Sequence, residues 1–295
     1  MSSLEELNIS GWDISKISNS FHDIIYHSSI KRLDVSNVIF GRDMSVAFAN
    51  SYLANLEYLN LSGVDTSRTT DMHYAFNGLQ LSSVNLSDFD TQNVTNMRNM
   101  FERSKIERLD LAHWDTSSLT DMGYFCDACY ELKYLNLNGW GNDNLSFIGD
   151  MTYGDSKLEE IHMRNFNFGQ VFNLGSTQGP FYDKPNLKVV DLDGAKMTNI
   201  YWIIRAFMDC KELEELDMSN IYAPTPITSS NVAFDGATKL TSLDISGFDF
   251  SQLNSAGSMF GGVPATTVYV KDQASLDKLN ELSDKPDTMT FVIKP

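Results

Sequence analysis

Few side chains in this sequence have the type and spacing to do chemistry. Cys126-Asp127-Ala128-Cys129 has the two-residue gap of zinc sites and redox dithiols, and Cys210 is the only other cysteine. A structural zinc needs four ligands, yet no second such pair and no histidine at ligand spacing accompanies the first. The five histidines (His22, His27, His73, His113 and His162) share no spacing, and solvated or loop positions are expected for them. No Ser/His/Asp order, nucleophile elbow or phosphate loop is present. Asp13, Asp65, Asp90, Asp115 and Asp249 each follow an aromatic or apolar residue at a turn. Short acidic side chains there accept backbone N–H groups, so a structural role is expected. The sequence therefore predicts no catalytic residue, no metal and no cofactor.

The elements that carry these residues repeat. Leu81 to Ser104, LSSVNLSDFDTQNVTNMRNMFERS, is followed from Ile106 by nearly the same text. Units anchored on L-x-x-L-[N/D]-[L/I/V] begin at Leu4, Ile30, Leu56, Leu81, Ile106, Leu132, Leu158, Leu187, Leu213 and Leu240, at offsets of 26, 26, 25, 25, 26, 26, 29, 26 and 27. The first half of each unit alternates, as Val84 and Leu86 do against Asn85 and Ser87, which predicts a strand with one buried face. In the second half Met97, Met100 and Phe101 stand at i, i+3 and i+4, which predicts one helical turn. Thr95 is placed as its N-cap, with Asp71 and Asp121 in the first turn of sister units. The aromatic between the halves (Trp12, Phe89, Trp114, Trp140, Phe166, Phe248) is expected to pack inward. Cys126 shares the register of Phe101, and Cys129 that of Cys210, so all three thiols are expected in the core.

A single unit cannot bury its own apolar face, whereas stacked copies close a core between them. The expected architecture is an α/β, leucine-rich-repeat-like right-handed solenoid, with one short parallel strand and one short helix per repeat of 25–26 residues. Ten strands spaced about 4.8 Å apart make a sheet roughly 45–50 Å long. Residues 1–267 form the ten repeats and 268–295 a C-terminal cap of strand, helix and strand. In the cap, Thr267–Val270 echoes the repeat strand, Asp272–Leu282 is amphipathic, and Met289–Ile293 alternates. The second unit has an insertion, Ala49 to Asn55, and the sixth a looser turn from Gly139 to Asn144. The seventh has lost the helix signature and carries a Phe-rich excursion from Phe166 to Tyr182. The ninth carries Ala223-Pro224-Thr225-Pro226, where a helix cannot form.

Bulk composition narrows the function. A net charge of −17 and a pI near 4.5 argue against nucleic acid and anionic lipid, both of which need a basic face. No run of about 18 apolar residues occurs, so no membrane span is expected. The array starts abruptly at Leu4, as in a piece of a longer protein lacking leader and anchor.

At Phe89-Asp90-Thr91-x-x-Val94-Thr95-Asn96-Met97-x-x-Met100-Phe101 and Trp114-Asp115-Thr116-Ser117-Ser118-Leu119-Thr120-Asp121-Met122 the sequence resembles the BspA-like leucine-rich-repeat surface proteins. It is most similar to their branch in lactic-acid bacteria, enterococci and mycoplasma lipoproteins. The resemblance implies a secreted or wall-anchored protein on the bacterial surface that binds proteins or host surfaces and has no catalytic activity. No wall-anchoring motif or lipobox is present.

Solenoids usually bind through the exposed sheet face. An outer row there reads Glu6, Arg32, Tyr58, Ser83, Arg108, Tyr134, Glu160, Val189, Glu215, Ser242. An inner row reads Asn8, Asp34, Asn60, Asn85, Asp110, Asn136, His162, Asp191, Asp217, Asp244. Arg and Tyr are common interface anchors. Arg32, Tyr58, Arg108 and Tyr134 are thus candidate partner contacts, and Asp191, Asp217 and Asp244 form an acidic patch beside Asp193. Like charges about 5 Å apart repel, so water, a cation or a basic partner must offset them. The plain alternative is that both rows are soluble positions of a strand ladder. The Phe-rich seventh unit either protrudes as a contact loop or folds its rings into the gap left by its missing helix. The expected function is a monomeric, non-catalytic adhesion module for a protein or glycoprotein on a host or neighbouring cell surface; the alternative is a spacer segment of a larger surface protein.

Overall fold

The computed structural model describes residues 4–17, 21, 25, 29–49, 53–175 and 179–295. His22, His27, part of the second unit's insertion and residues 176–178 of the seventh lie outside that set. The chain winds as a parallel β-solenoid. Its strands are β1 Glu6–Asn8, β2 Arg32–Asp34, β3 Tyr58–Asn60, β4 Arg108–Asp110, β5 Tyr134–Asn136, β6 Glu160–His162, β7 Val189–Asp191, β8 Glu215–Asp217, β9 Ser242–Asp244 and β10 Thr267–Val270, followed by α1 Gln273–Asn280 and β11 Thr290–Ile293. All pairings are parallel and in the register of the anchor leucines, as in Leu7↔Leu33↔Leu59 and Leu109↔Leu135↔Ile161. The ladder runs as three sheets, β1–β3, β4–β7 and β8–β11.

Among the described residues, the helix expected in each repeat is absent from the second repeat onward. Apart from Ile25, no described residue between Leu4 and Val270 is helical. The Met97–Phe101 stretch is a pair of tight turns, with the Met100 N–H donating to the Met97 carbonyl at 3.2 Å. Asn99 (φ 55°), Arg103 (59°), Tyr124 (57°) and Ala128 (56°) stand in the left-handed region, which no right-handed helix can pass through. Two successive turns bring Met97, Met100 and Phe101 inward just as a helical turn would. The spacing alone does not separate the two.

Two further parallel bridge ladders replace the helices. One passes through Asp13, Ile39 and Asp65 and resumes at Gly141, Asn167, Lys196 and Tyr222. The other passes through Asp43, Asp71, Asn96, Asp121 and Phe147 and resumes at Asn173, Trp202, Ser229 and Ser255. Each full coil is therefore three-sided. Thr95 is not an N-cap: its hydroxyl donates to the Thr70 carbonyl of the preceding coil at 3.1 Å, as Thr120 does to Thr95 and Ser146 to Thr120. Asp71 and Asp121 likewise close turns, accepting the N–H groups of His73 and Gly123.

The core is a set of columns, one side chain per coil. Phe48, Phe76 and Phe101 stack at 5.2 and 5.3 Å, and Phe181, Phe207, Phe234 and Phe260 at 4.9, 5.6 and 5.7 Å. Phe89, Trp114 and Trp140 form a second stack, and the buried Trp140 indole donates to the Leu111 carbonyl at 2.7 Å. Trp12 departs from the inward aromatics and is 54% exposed. In the seventh unit Phe166, Phe168, Val171 and Leu174 point inward, while Phe172 lies outside, stacked on Tyr201.

The fourth unit, so regular as text, forms no strand. In the third and sixth units a turn leads into the strand, Leu56 N–H to Leu53 carbonyl and Leu132 N–H to Cys129 carbonyl. The two 25-residue offsets shorten that lead-in by one residue at Leu79–Leu81 and Ser104–Ile106, where the turn bond is not made. At the end of the stack, Asp272 caps α1 by accepting the Ser275 N–H at 2.8 Å. Leu279 is buried, and Phe291 of β11 packs on Phe260.

Candidate functional site

The repeat strands turn their middle residue to the core, fully buried in most and partly so at Leu7, Leu59 and Val190, and their two flanking residues to the outer face, so both rows do project from the sheet. The register places Arg32 directly opposite Tyr58 and Arg108 opposite Tyr134. The Arg32 guanidinium lies 4.3 Å from the Tyr58 ring centroid, and that of Arg108 lies 3.3 Å from Tyr134. An arginine held over a tyrosine face is attracted by the ring quadrupole, by about 0.5–1 kcal/mol at an exposed site. Below each pair on the inner row an Asn amide donates to an Asp carboxylate, Asn60 to Asp34 at 3.1 Å and Asn136 to Asp110 at 2.9 Å. The same four-residue platform, R-L-D facing Y-L-N, thus occurs twice. The first stands on β2 and β3 and the second on β4 and β5, with the strandless fourth unit between them.

The acidic candidates have a different setting. Asp191, Asp217 and Asp244 each accept the N–H two residues on, at 3.1, 2.8 and 2.9 Å, so each closes the turn that ends its own strand. The offset demanded by their charge is intramolecular. Arg164 bridges Asp191, at 3.2 Å, and Asp193, and Asn220 adds a bond to Asp193 at 2.6 Å. Lys294, from the last strand's end, pairs with Asp244 at 2.7 Å. Burial alone would raise the Asp217 carboxyl, but the Ser219 hydroxyl and N–H, with Lys294, hold it below the usual range. The main ladder opens between β7 and β8, leaving a cleft of about 490 Å³ lined by Arg164, Asp191, Asp193, Glu215, Asp217 and their neighbours. Among the described residues, no three His, Cys, Asp or Glu side chains converge on a metal position.

The turn aspartates behave as the sequence predicts. Asp13, Asp65, Asp90, Asp115 and Asp249 accept the N–H two residues on at 2.8–3.1 Å. Hydrogen bonds from the serine two residues on hold Asp13, Asp65 and Asp115 below the ordinary carboxylate range. Histidines 73 and 162 each sit beside a carboxylate, Asp71 at 2.8 Å and Glu160 at 3.1 Å.

The three thiols are fully buried. Burial pushes Cys126 well up, and Cys210 up to about 12. Sequence reasoning missed their neighbours. The column Leu79, Ser104, Cys129, Asp155, Lys184, Cys210, Ala237 is buried throughout, so an acid and a base on adjacent coils lie inside the core. Burial raises the Asp155 carboxyl, and neither of its oxygens has a hydrogen-bond partner. It also lowers the Lys184 amine, which donates to the Tyr182 carbonyl at 2.6 Å. The signal was legible: both residues stand three before an anchor leucine, where the third, sixth, ninth and tenth units carry Leu53, Cys129, Cys210 and Ala237.

Coils of one repeated unit, stacked in register through parallel ladders, define a solenoid repeat protein. The chain matches the family described as "Mycoplasma protein of unknown function, DUF285" over residues 42–166 and again over 151–275. These spans cover most of the chain, which belongs to that family. No curated protein matches the chain. Among solved structures, an internalin (InlF) from Listeria monocytogenes strain 4b F2365 is similar at 14% identity over 86% of each chain, with a TM-score of 0.25. That likeness is too loose to argue from, and the fold rests on the ladders described above. No described helix is long and apolar enough to cross a membrane.

Proposed function

We propose that the chain is a non-catalytic binding module that presents its strand face to a protein or glycoprotein outside the bacterial cell. The observation that carries this reading is the pair of Arg–Tyr platforms on the outer row, with Tyr58 42% exposed. Side chains already held in place lose less entropy on binding. The thiols and the buried lysine are packed out of solvent, which supports a scaffold rather than an enzyme. The likeness of the repeat to BspA-like surface proteins supports an extracellular setting and an adhesive role. The alternative, a spacer within a larger surface protein, draws support from the acidic end, where Arg164 and Lys294 already engage Asp191, Asp193 and Asp244.

The test is an array of matrix proteins, mucins and glycans probed with the intact chain. Any partner found is then measured against Arg108→Ala/Tyr134→Ala and against Lys157→Ala, which only breaks the Glu131 ion pair elsewhere on the coil. Loss of binding by tenfold or more is expected for the first variant and none for the second, since anchor truncation typically removes about 1–2 kcal/mol or more. Equal binding by both variants would falsify the reading.

A further inference from the structure

The two platforms are copies of one constellation in one register, and this repetition says something about what they hold. From Arg32 to Arg108 and from Tyr58 to Tyr134 the chain advances by three coils, with Ser83 alone between them on the outer row. Three coil spacings of about 4.8 Å, kept across the strandless fourth unit by the Asp71–Asn96–Asp121 bridges, put the two guanidinium groups roughly 14 Å apart along the solenoid axis. Each is stacked on its tyrosine, and each leaves part of its donor fork outward. Arg32 has Glu6 at 3.9 Å through Nε, and Arg108 has Asp110 at 3.3 Å through Nη2. Among the described residues no other acceptor takes a hydrogen bond from either group. A planar fork with a free edge matches a carboxylate.

An extended peptide advances about 3.4 Å per residue and repeats its facing every two residues. Its side chains at i and i+4 therefore share a face and stand about 14 Å apart, which is the platform spacing. The face also grows more acidic beyond Tyr134, since both arginines of the two rows lie before it. Glu160, Asp191, Glu215 and Asp217 follow on the next three coils, with His162 and Arg164 among them. A long uniform polyanion is repelled there, whereas a peptide can carry its acids at one end only.

Resting on the binding-face reading above, we propose that the platforms Arg32/Tyr58 and Arg108/Tyr134 receive an extended peptide segment lying along the solenoid axis, with acidic side chains at i and i+4. The partner is thus a protein strand or tail with that spacing.

The experiment titrates the intact chain into labelled twelve-residue peptides of Ser and Thr bearing two glutamates at i and i+2, i+3 or i+4, or none. The readout is fluorescence anisotropy at low and at physiological salt. The i, i+4 peptide is expected to bind about tenfold more tightly than the i, i+3 peptide, because only it engages both sites at once. Arg32→Gln and Arg108→Gln, both at exposed positions, should each erase that advantage. A sulfated glycan of matched charge should bind more weakly than the i, i+4 peptide. The proposal is overturned by equal affinity across spacings, by no binding at all, by indifference to the arginine substitutions, or by tighter binding of the glycan. If a partner from the array still depends on Arg108 and Tyr134 while spacing has no effect, only the spacing inference falls. If the partner ignores that face, the functional reading falls with it.

Discussion

At the scale of single residues, the carboxylates divide by what surrounds them. Those at the coil corners accept backbone N–H groups. Asp127, between the two core cysteines, is pushed up to about 6 by partial burial, reinforced by the nearby charges of Glu102 and Asp150. A carboxyl whose folded pKa exceeds its unfolded value of 3.8 binds more protons in the fold. Its contribution to stability is therefore greatest in acid and is lost as pH rises from the unfolded value through about 6. Asp127→Asn, which mimics the protonated form, should raise the melting temperature at pH 7, with the gain vanishing below about pH 4. Melting curves across that range check it; a gain that does not vary with pH would rule out titration as the cause.

At the scale of elements, the corners rather than helices govern each coil. The third residue of the first turn stands at positive φ in coil after coil: Val46, Tyr74, Asn99, Tyr124, Asp150, Arg205, Val232 and Ser258. Asparagine tolerates that region, whereas a β-branched residue is strained in it. Val232 at φ 50° is half-buried, so little packing offsets the strain. Val232→Gly is expected to stabilise by about 0.5–1 kcal/mol, as measured by denaturant unfolding. A loss of stability would mean that the valine's packing outweighs its backbone cost. The strand half was legible from its alternation in every unit but the fourth, which alternates as text and forms no strand. The turn half was not, because Met97, Met100 and Phe101 face inward in either geometry. The discriminating sign was Asp or Asn at three places per repeat, each able to close a corner two residues on.

At the scale of the molecule, stability passes from coil to coil, since nearly every core contact is with the neighbour above or below. Such a stack has open ends. We propose that residues 268–295 close one of them, with α1 and β11 over β10, Phe291 against Phe260, and Lys294 reaching back to Asp244. Deleting 271–295 uncovers Val268 and Val270 and frees the edge of β10. The shortened chain should melt lower and scatter light on heating. Unchanged melting and a monodisperse solution would show that the segment is an appendage.

Much about this protein was set by the sequence alone. The unit, the parallel strands of all repeats but the fourth, the inward aromatics other than Trp12 and the buried thiols follow from local periodicity, which survives whatever the neighbouring coil does. The tertiary structure decided what depends on stacking residues 25 to 30 positions apart. It made three ladders in place of one ladder and a row of helices. It laid Arg32 on Tyr58 and Arg108 on Tyr134, broke the sheet at the fourth unit, and brought Lys294 to Asp244 across 50 residues of chain. A repeat pattern fixes which face a side chain takes. Only the stacked coils fix which side chain stands beside it, and on this face those neighbours are the chemistry.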